Sequence, residues 1–350
     1  MRSAVLRQGR MIVTEVADPV PACGQVLCRA LACGICGSDL HFVHHGRRLA
    51  ELTDLVRDPG AGGTPPLDLD RDVYMGHEFA AEVVEAGPDT VGPPGGTVVT
   101  SVPSVLTPAG PRGIAYSNDF PGGYAEYMLL SPALMLAVPN GLAAAHAAMT
   151  EPMAVGAHAV ARSAISARES AVVLGCGPVG LAVIGALRLV GVETIVAADP
   201  SPARRALAAT MGAIEVVDPR HEPAIDAWRR VDGHTPPVLF EAVGVPGMLG
   251  AAIRDCPVGG RIVVVGVCME PDHVLPALAV LKELNVGFVL AYTAEEFEST
   301  LRHIAEGRID VAPLITGHVG IDGVPDAFAA LASPEQHCKI VVEPSPARGG

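Results

Sequence analysis

Lysine is almost missing from this sequence: Lys282 and Lys339 are the only two. With 24 Lys and Arg against 38 Asp and Glu the net charge is -14, so no basic cluster is left to grip a nucleic-acid backbone or an anionic membrane. Both partner classes are set aside in favour of a small-molecule ligand. Charged residues are scarce, at 18%, beside 49% hydrophobic ones, which excludes a disordered chain; 350 residues of this kind exceed one comfortable core, and two domains are expected. A membrane-spanning run is lacking too. The stretch 171–187 is uncharged, but Gly175, Gly177, Pro178 and Gly180 near its start mark a buried strand turning into a helix. The opening MRSAVLRQGRMIV has neither the apolar core nor the cleavage site of a secretory signal, so a reducing cytoplasm is the expected compartment. The eight cysteines then read as free thiols or metal ligands, not as a disulfide framework. What is plentiful, 39 Gly and 31 Pro spread along the chain, favours a turn-rich α/β enzyme.

Short β-type runs broken by Asp18, Pro19, Pro21 and Gly24 fill the first part of the chain, and more occur at 80–84, 97–101 and 124–129. Between them the segment Gly46 to Asp72 is polar, rich in Pro and Gly and aperiodic; it reads as a long surface loop, either merely solvated or a substrate lid. After about Glu151 strand and helix signals alternate, the signature of a parallel, doubly wound sheet. From Ala294 onward one amphipathic helix leads to strand-like runs ending in KIVVE, a tail too short to be a domain. The expected fold is therefore α/β: a β-rich domain at 1–149, a Rossmann domain inserted at 150–288, and a return to the first domain at 289–350.

Two constellations carry chemistry. The run GCGPVG places Gly175, Gly177 and Gly180 between an apolar strand and a helix start, and Asp199 ends the next strand 19 residues beyond Gly180. This spacing suits a pyrophosphate resting on a helix N-terminus, with Asp199 binding the ribose diol and repelling a 2′-phosphate, so NAD is preferred to NADP. Arg204 is close enough to soften that preference, or is a solvated helix residue. The second constellation joins LACGICGSDLH (31–41) to MGHE (75–78). Cys33 and Cys36 form a C-x-x-C pair, but no βαβ pattern surrounds them as a redox dithiol requires. A Cys, a His and a carboxylate from separate segments can instead bind Zn²⁺ with one position left open. His and Glu side by side are more often a surface pair.

The strings GICGSDLH, GHEFAAEVVEAG, PGGYAEYM, EPMAVGAHAV, VLGCGPVG, KELNV and FESTLRHIAEGRIDVAPLIT, in this order over nearly the whole chain, resemble the zinc-dependent medium-chain alcohol dehydrogenase family, in its sorbitol, threonine and butanediol dehydrogenase branch. The resemblance implies a GroES-like catalytic domain around the Rossmann domain. It implies zinc ligation by Cys36 and His77 with Glu78 or Glu151, Asp39 orienting a ligand, and a proton relay through Ser38 and His41. It also implies cofactor contacts from Pro178, Val179, Val243, Gly266 and Lys339 beside the three glycines, Asp199 and Arg204. The implied activity is hydride transfer between an alcohol, primary or secondary, and NAD, giving the ketone or aldehyde.

Some features depart from the family. No cysteine lies between Cys36 and Cys176, so the four-cysteine structural zinc is not expected and one catalytic zinc per chain is. The usual GDRV string is replaced by Gly95, Gly96, Thr97 and Val98, and 41 positions separate Cys36 from His77, more than in typical polyol dehydrogenases. Where polyol members carry Arg-Tyr this chain has Ala291 and Tyr292, which points to a less polar secondary alcohol or its ketone. The apolar run at 286–291 reads as an edge strand, covered either by a second copy in a homodimer or homotetramer or by the chain's own loop. Competing readings are a zinc-free quinone-reductase-like enzyme, opposed by Cys36, His77 and Glu151, and a non-catalytic nucleotide binder, opposed by Ser38 and His41.

Overall fold

The structure, a computed structural model, describes residues 1–56, 66–333 and 335–345. Continuous β-branched and small apolar runs make the centre of its six-stranded parallel sheet. Ala171–Leu174, Ile195–Ala198 and Val238–Glu241 lie almost wholly out of water because helices cover both faces. The strand order is Glu215–Val217, Ile195–Ala198, Ala171–Leu174, Val238–Glu241, Arg261–Val264, Asn285–Phe288, every pair parallel. Order reverses on either side of Ala171–Leu174, and the crevice at its carboxyl end is where a doubly wound sheet binds its ligand. Local chemistry sets the flanking helices. Pro178–Leu189 starts with Pro in its first turn. Pro202–Met211 starts on Ser201, whose hydroxyl accepts from the Arg204 amide, and stops at Gly212 with φ 113°.

The other large sheet is mostly antiparallel and takes strands from both ends of the chain. Val26–Gly34 is its hub, pairing with Glu78–Ala86, Tyr127–Leu130 and Lys339–Glu343. Two of its registers position the site: Gly34 stands opposite Glu78, and Val341 opposite Gly34. They bring the chain's last described strand beside the GICGSD and GHE segments.

One expectation is corrected. The surface loop read over 46–72 is helical at its start, because the helix Gly37–Val56 runs on through a kink at His45 and takes in Gly46. Arg47 to Val56 is rich in helix formers, and the Pro and Gly content that hid this lies further along. Residues 57–65 of that segment fall outside the described residues. No helix among the described residues is long and apolar enough to cross a membrane.

Candidate functional site

Cys36 follows the hub strand and opens the helix Gly37–Val56, its carbonyl accepting from the Asp39 amide at 3.1 Å, so its sulfur sits at a positive helix terminus. Asp39, with no exposed surface, turns its side chain back. Its Oδ2 accepts from the Cys36 amide at 3.2 Å and from the Tyr124 hydroxyl at 2.6 Å. Oδ1 faces His77 Nδ1 at 3.5 Å, and neither atom has a hydrogen-bond partner. One ligand atom from each of Cys36, His77 and Glu78 lies within 4.8 Å of the others, the one such group of three among the described residues. Burial alone would depress His77, but the charges of Asp39 and Cys36 outweigh it and hold the imidazole well above its ordinary pKa. Burial likewise works against the Asp39 carboxylate, and His77, Tyr124 and the Cys36 amide still hold it below the usual range. Sulfur, imidazole and carboxylate at this spacing fit Zn²⁺, and an imidazole backed by a buried carboxylate is the usual second support of such an ion.

The two glutamates differ. Glu78 fits only because Gly34 lacks a side chain: a Cβ there would meet Glu78 Oε2 at 2.1 Å. Both its oxygens accept from Lys339 Nζ, at 2.7 and 2.6 Å, and the third ammonium hydrogen goes to the Ile35 carbonyl at 3.0 Å. Lys339, which the family resemblance places in the cofactor set, is fully buried, and its three donors go to Glu78 and Ile35. Glu151, in the first turn of the helix Thr150–Ser163, lies outside the group of three but within electrostatic reach of it. Burial pushes its carboxyl up to about 7 against the pull of His77, and the Tyr292 hydroxyl is near enough to act on it.

Ser38 and His41 are exposed on consecutive turns of one helix face. The Tyr116 hydroxyl donates to Ser38 Oγ at 2.9 Å. Partial burial, with His45 and His44 nearby, holds His41 below its ordinary pKa.

At the crevice, Gly175 has φ 90°, and a Cβ on Gly180 would stand 1.9 Å from the Gly175 carbonyl oxygen. Gly177 faces open space, with only Arg204 Nη1 near, at 3.9 Å from a Cβ built there. Pro178 and Val179 begin the helix behind this turn. Asp199 is 4% exposed and accepts from the amides of Cys176 and Ser201, each at 2.8 Å. Val243 and Gly266 border the same turn: Val243 Cγ2 approaches Gly175, and Gly266 abuts Gly244. Sequence reasoning missed Glu241, whose buried Oε1 accepts from the amides of Val243 and Gly244 and so shapes that loop. It also missed Tyr116 and Tyr124; for Tyr124 a signal existed in the PGGYAEYM string.

Comparison with known proteins agrees with this geometry. Residues 22–140 match the alcohol dehydrogenase GroES-like domain and residues 178–306 the zinc-binding dehydrogenase domain. The chain is 32% identical to (R,R)-butanediol dehydrogenase of Bacillus subtilis over 345 residues, 95% of this chain and 96% of that one. It is 26% identical to the sorbitol dehydrogenase of the same organism, over 99% and 98% of the two chains. The crystal structure of 2R,3R-butanediol dehydrogenase from Bacillus subtilis superposes with a TM-score of 0.81 at 28% identity, covering 98% of this chain and 99% of that one. The chain therefore belongs to the zinc-dependent medium-chain alcohol dehydrogenase family, and it is a zinc-containing, NAD(P)-dependent oxidoreductase that interconverts an alcohol and its carbonyl compound.

Proposed function

We propose that the substrate is a short secondary alcohol with few hydroxyls, or its ketone, that Cys36, His77 and Glu78 hold the zinc, and that Glu151 closes its remaining side. The observation that carries the substrate choice is the Ala291–Tyr292 pair. Ala291 offers no polar group, and the Tyr292 hydroxyl lies in electrostatic reach of Glu151. A polyol taken into a dry pocket needs a partner for each hydroxyl, and Ala291 stands where polyol members have a cation. The similarity to a butanediol dehydrogenase supports the same choice.

When bound, zinc supplies a Lewis acid that eases ionisation of the alcohol, and the nicotinamide supplies the acceptor for the hydride leaving the carbinol carbon. The chain's own residues do the rest. Asp39 holds the His77 tautomer with Nδ1–H toward the carboxylate. Lys339 neutralises Glu78, so the site is not overloaded with negative charge. Ser38 accepts the alcohol proton while passing on its own, and His41, one turn along, delivers a proton to water.

Asp199 supports NAD over NADP, its charge opposing a 2′-phosphate, while the buried Arg204 Nε without a partner limits the margin. The division into a catalytic part at 1–149 and 289–350 and a Rossmann part at 150–288 is supported by the two sheets. A homodimer or homotetramer is supported by the edge strand Asn285–Phe288, near which Phe288 is 68%, Leu290 80% and Leu281 76% exposed. A reducing cytoplasm remains the proposed compartment.

The test is zinc content of protein purified without added metal or chelator, followed by kcat/KM on 2-butanol, 2,3-butanediol and sorbitol with NAD. One zinc per chain and at least ~10-fold preference for the two short alcohols is expected. Equal turnover of sorbitol overturns the substrate reading, and zinc that neither co-purifies nor binds on reconstitution overturns the ligand set.

A further inference from the structure

Tyr116 has a backbone that a tyrosine seldom adopts, with φ 54° in the left-handed region. Its surroundings hold it there. The next residue, Ser117, exchanges two main-chain hydrogen bonds with Tyr74, at 2.7 and 3.1 Å, and the Ser117 hydroxyl accepts from the amides of Asp119 and Phe120. The Tyr116 ring stacks on the buried Phe42 with centroids 4.3 Å apart and planes at 17°, and lies 6.0 Å from the His77 ring. Backbone and ring together fix one atom, the hydroxyl, at 2.9 Å from Ser38 Oγ. Burial pushes the phenol well above its ordinary pKa, so the group stays a donor.

We propose that Tyr116 is a positioning residue for proton transfer, its hydroxyl setting the direction of the Ser38 hydroxyl; the inference rests on the reading of Ser38 as a relay. A serine hydroxyl has one hydrogen and two acceptor sites and rotates among three wells. In the first turn of a helix it also competes for nearby main chain. A hydrogen donated by Tyr116 fills one acceptor site and keeps the serine's own hydrogen from pointing that way. One acceptor site and one hydrogen remain, the inventory needed to take a proton from a substrate hydroxyl and pass one onward. No atom of Tyr116 changes its bonding in the reaction. Its strained backbone persists because ring stack and Ser117 turn over-determine it.

Tyr116→Phe keeps the ring and deletes the donor. It should be measured in the zinc-loaded enzyme beside Ser38→Ala and the double variant. The expected result is a fall in kcat of ~10-fold with KM for NAD unchanged and a larger solvent deuterium isotope effect on kcat, and no further fall when the change is made in the Ser38→Ala background. In zinc-free protein Tyr116→Phe should lower the thermal midpoint by ~2 °C, and not at all in the Ser38→Ala background, a reading of the hydrogen bond without turnover. Equal losses in both backgrounds, or an unchanged kcat in Tyr116→Phe beside a crippled Ser38→Ala, overturn this inference and leave the relay standing. Full activity of Ser38→Ala overturns the relay, and the inference with it.

Discussion

At the nucleotide end of the crevice the chain offers main chain, in a turn where a Cβ on Gly175 or Gly180 would strike neighbouring backbone or side chain and Gly177 faces open space. At the metal end it offers side chains, brought together from strands and helix starts far apart in sequence, with Lys339 bonded to Glu78 across 261 residues and to Ile35 across 304. The first arrangement is local and neutral, and six consecutive residues specify it. The second is long-range and charged, and each group is stable only while its partner is present. The contrast teaches that damage at one end should be confined to cofactor binding, whereas damage at the other should spread into folding and metal content together.

The largest effect expected from that contrast is at Lys339. Lys339→Met leaves Glu78 buried without its counter-charge and should cost about 3–5 kcal/mol of stability in the zinc-free protein, by denaturant titration. A well-folded variant altered only in KM for NAD would show that Lys339 acts on the cofactor and not on Glu78. Next is Tyr124→Phe, which removes the 2.6 Å donor to Asp39. Loss of such outer support should weaken zinc affinity by about 10–100-fold, read by competition with a chromophoric chelator.

The two glycines sharpen the other side. Gly180→Ala drives a methyl into the Gly175 carbonyl and should destabilise by about 1–3 kcal/mol. Gly177→Ala meets nothing closer than 3.9 Å, so stability should hold while KM for NAD rises, by roughly 10-fold. If the thermal midpoint falls equally in both, the turn is a packing device and not a phosphate seat.

The smallest effect is one of slope. The Glu151 carboxyl, at about 7 in the folded protein against an ordinary 4.5, favours the zinc-free fold most below pH 4.5 and progressively less up to pH 7. Zinc needs the carboxylate, so its affinity should take the opposite course and fall as pH drops through about 7. Glu151→Gln should lose less zinc affinity than wild type between pH 8 and 6, and equal slopes would place Glu151 away from the metal.

The same contrast explains what could be read in advance. The GCGPVG turn was legible because its chemistry is contained in adjacent residues, and the parallel strands because both of their faces are apolar. Cys36, His77 and Glu78 were nameable from short strings, but their mutual geometry rests on the Gly34–Glu78 and Val341–Gly34 registers, which no local pattern encodes. The pairing of Lys339 with Glu78 was hidden for that reason: nothing near Lys339 in sequence announces a buried carboxylate. The Arg47–Val56 helix was hidden by the proline and glycine just beyond it in the same polar window. Tyr116 was missed because its importance lies in a backbone conformation and a stack, and neither leaves a compositional trace.

The buried Lys339–Glu78 pair also bears on how the protein is made. Synthesis proceeds from the N-terminus, so Glu78 leaves the ribosome long before the only cation that bonds it among the described residues exists. Until then the acid must stay hydrated or protonated, and the hub strand lacks its neighbour Lys339–Glu343 on that side. The catalytic sheet is therefore completed after translation has passed the whole nucleotide-binding sheet, and a nascent chain halted before Lys339 has every group proposed to hold zinc yet no settled place to keep them.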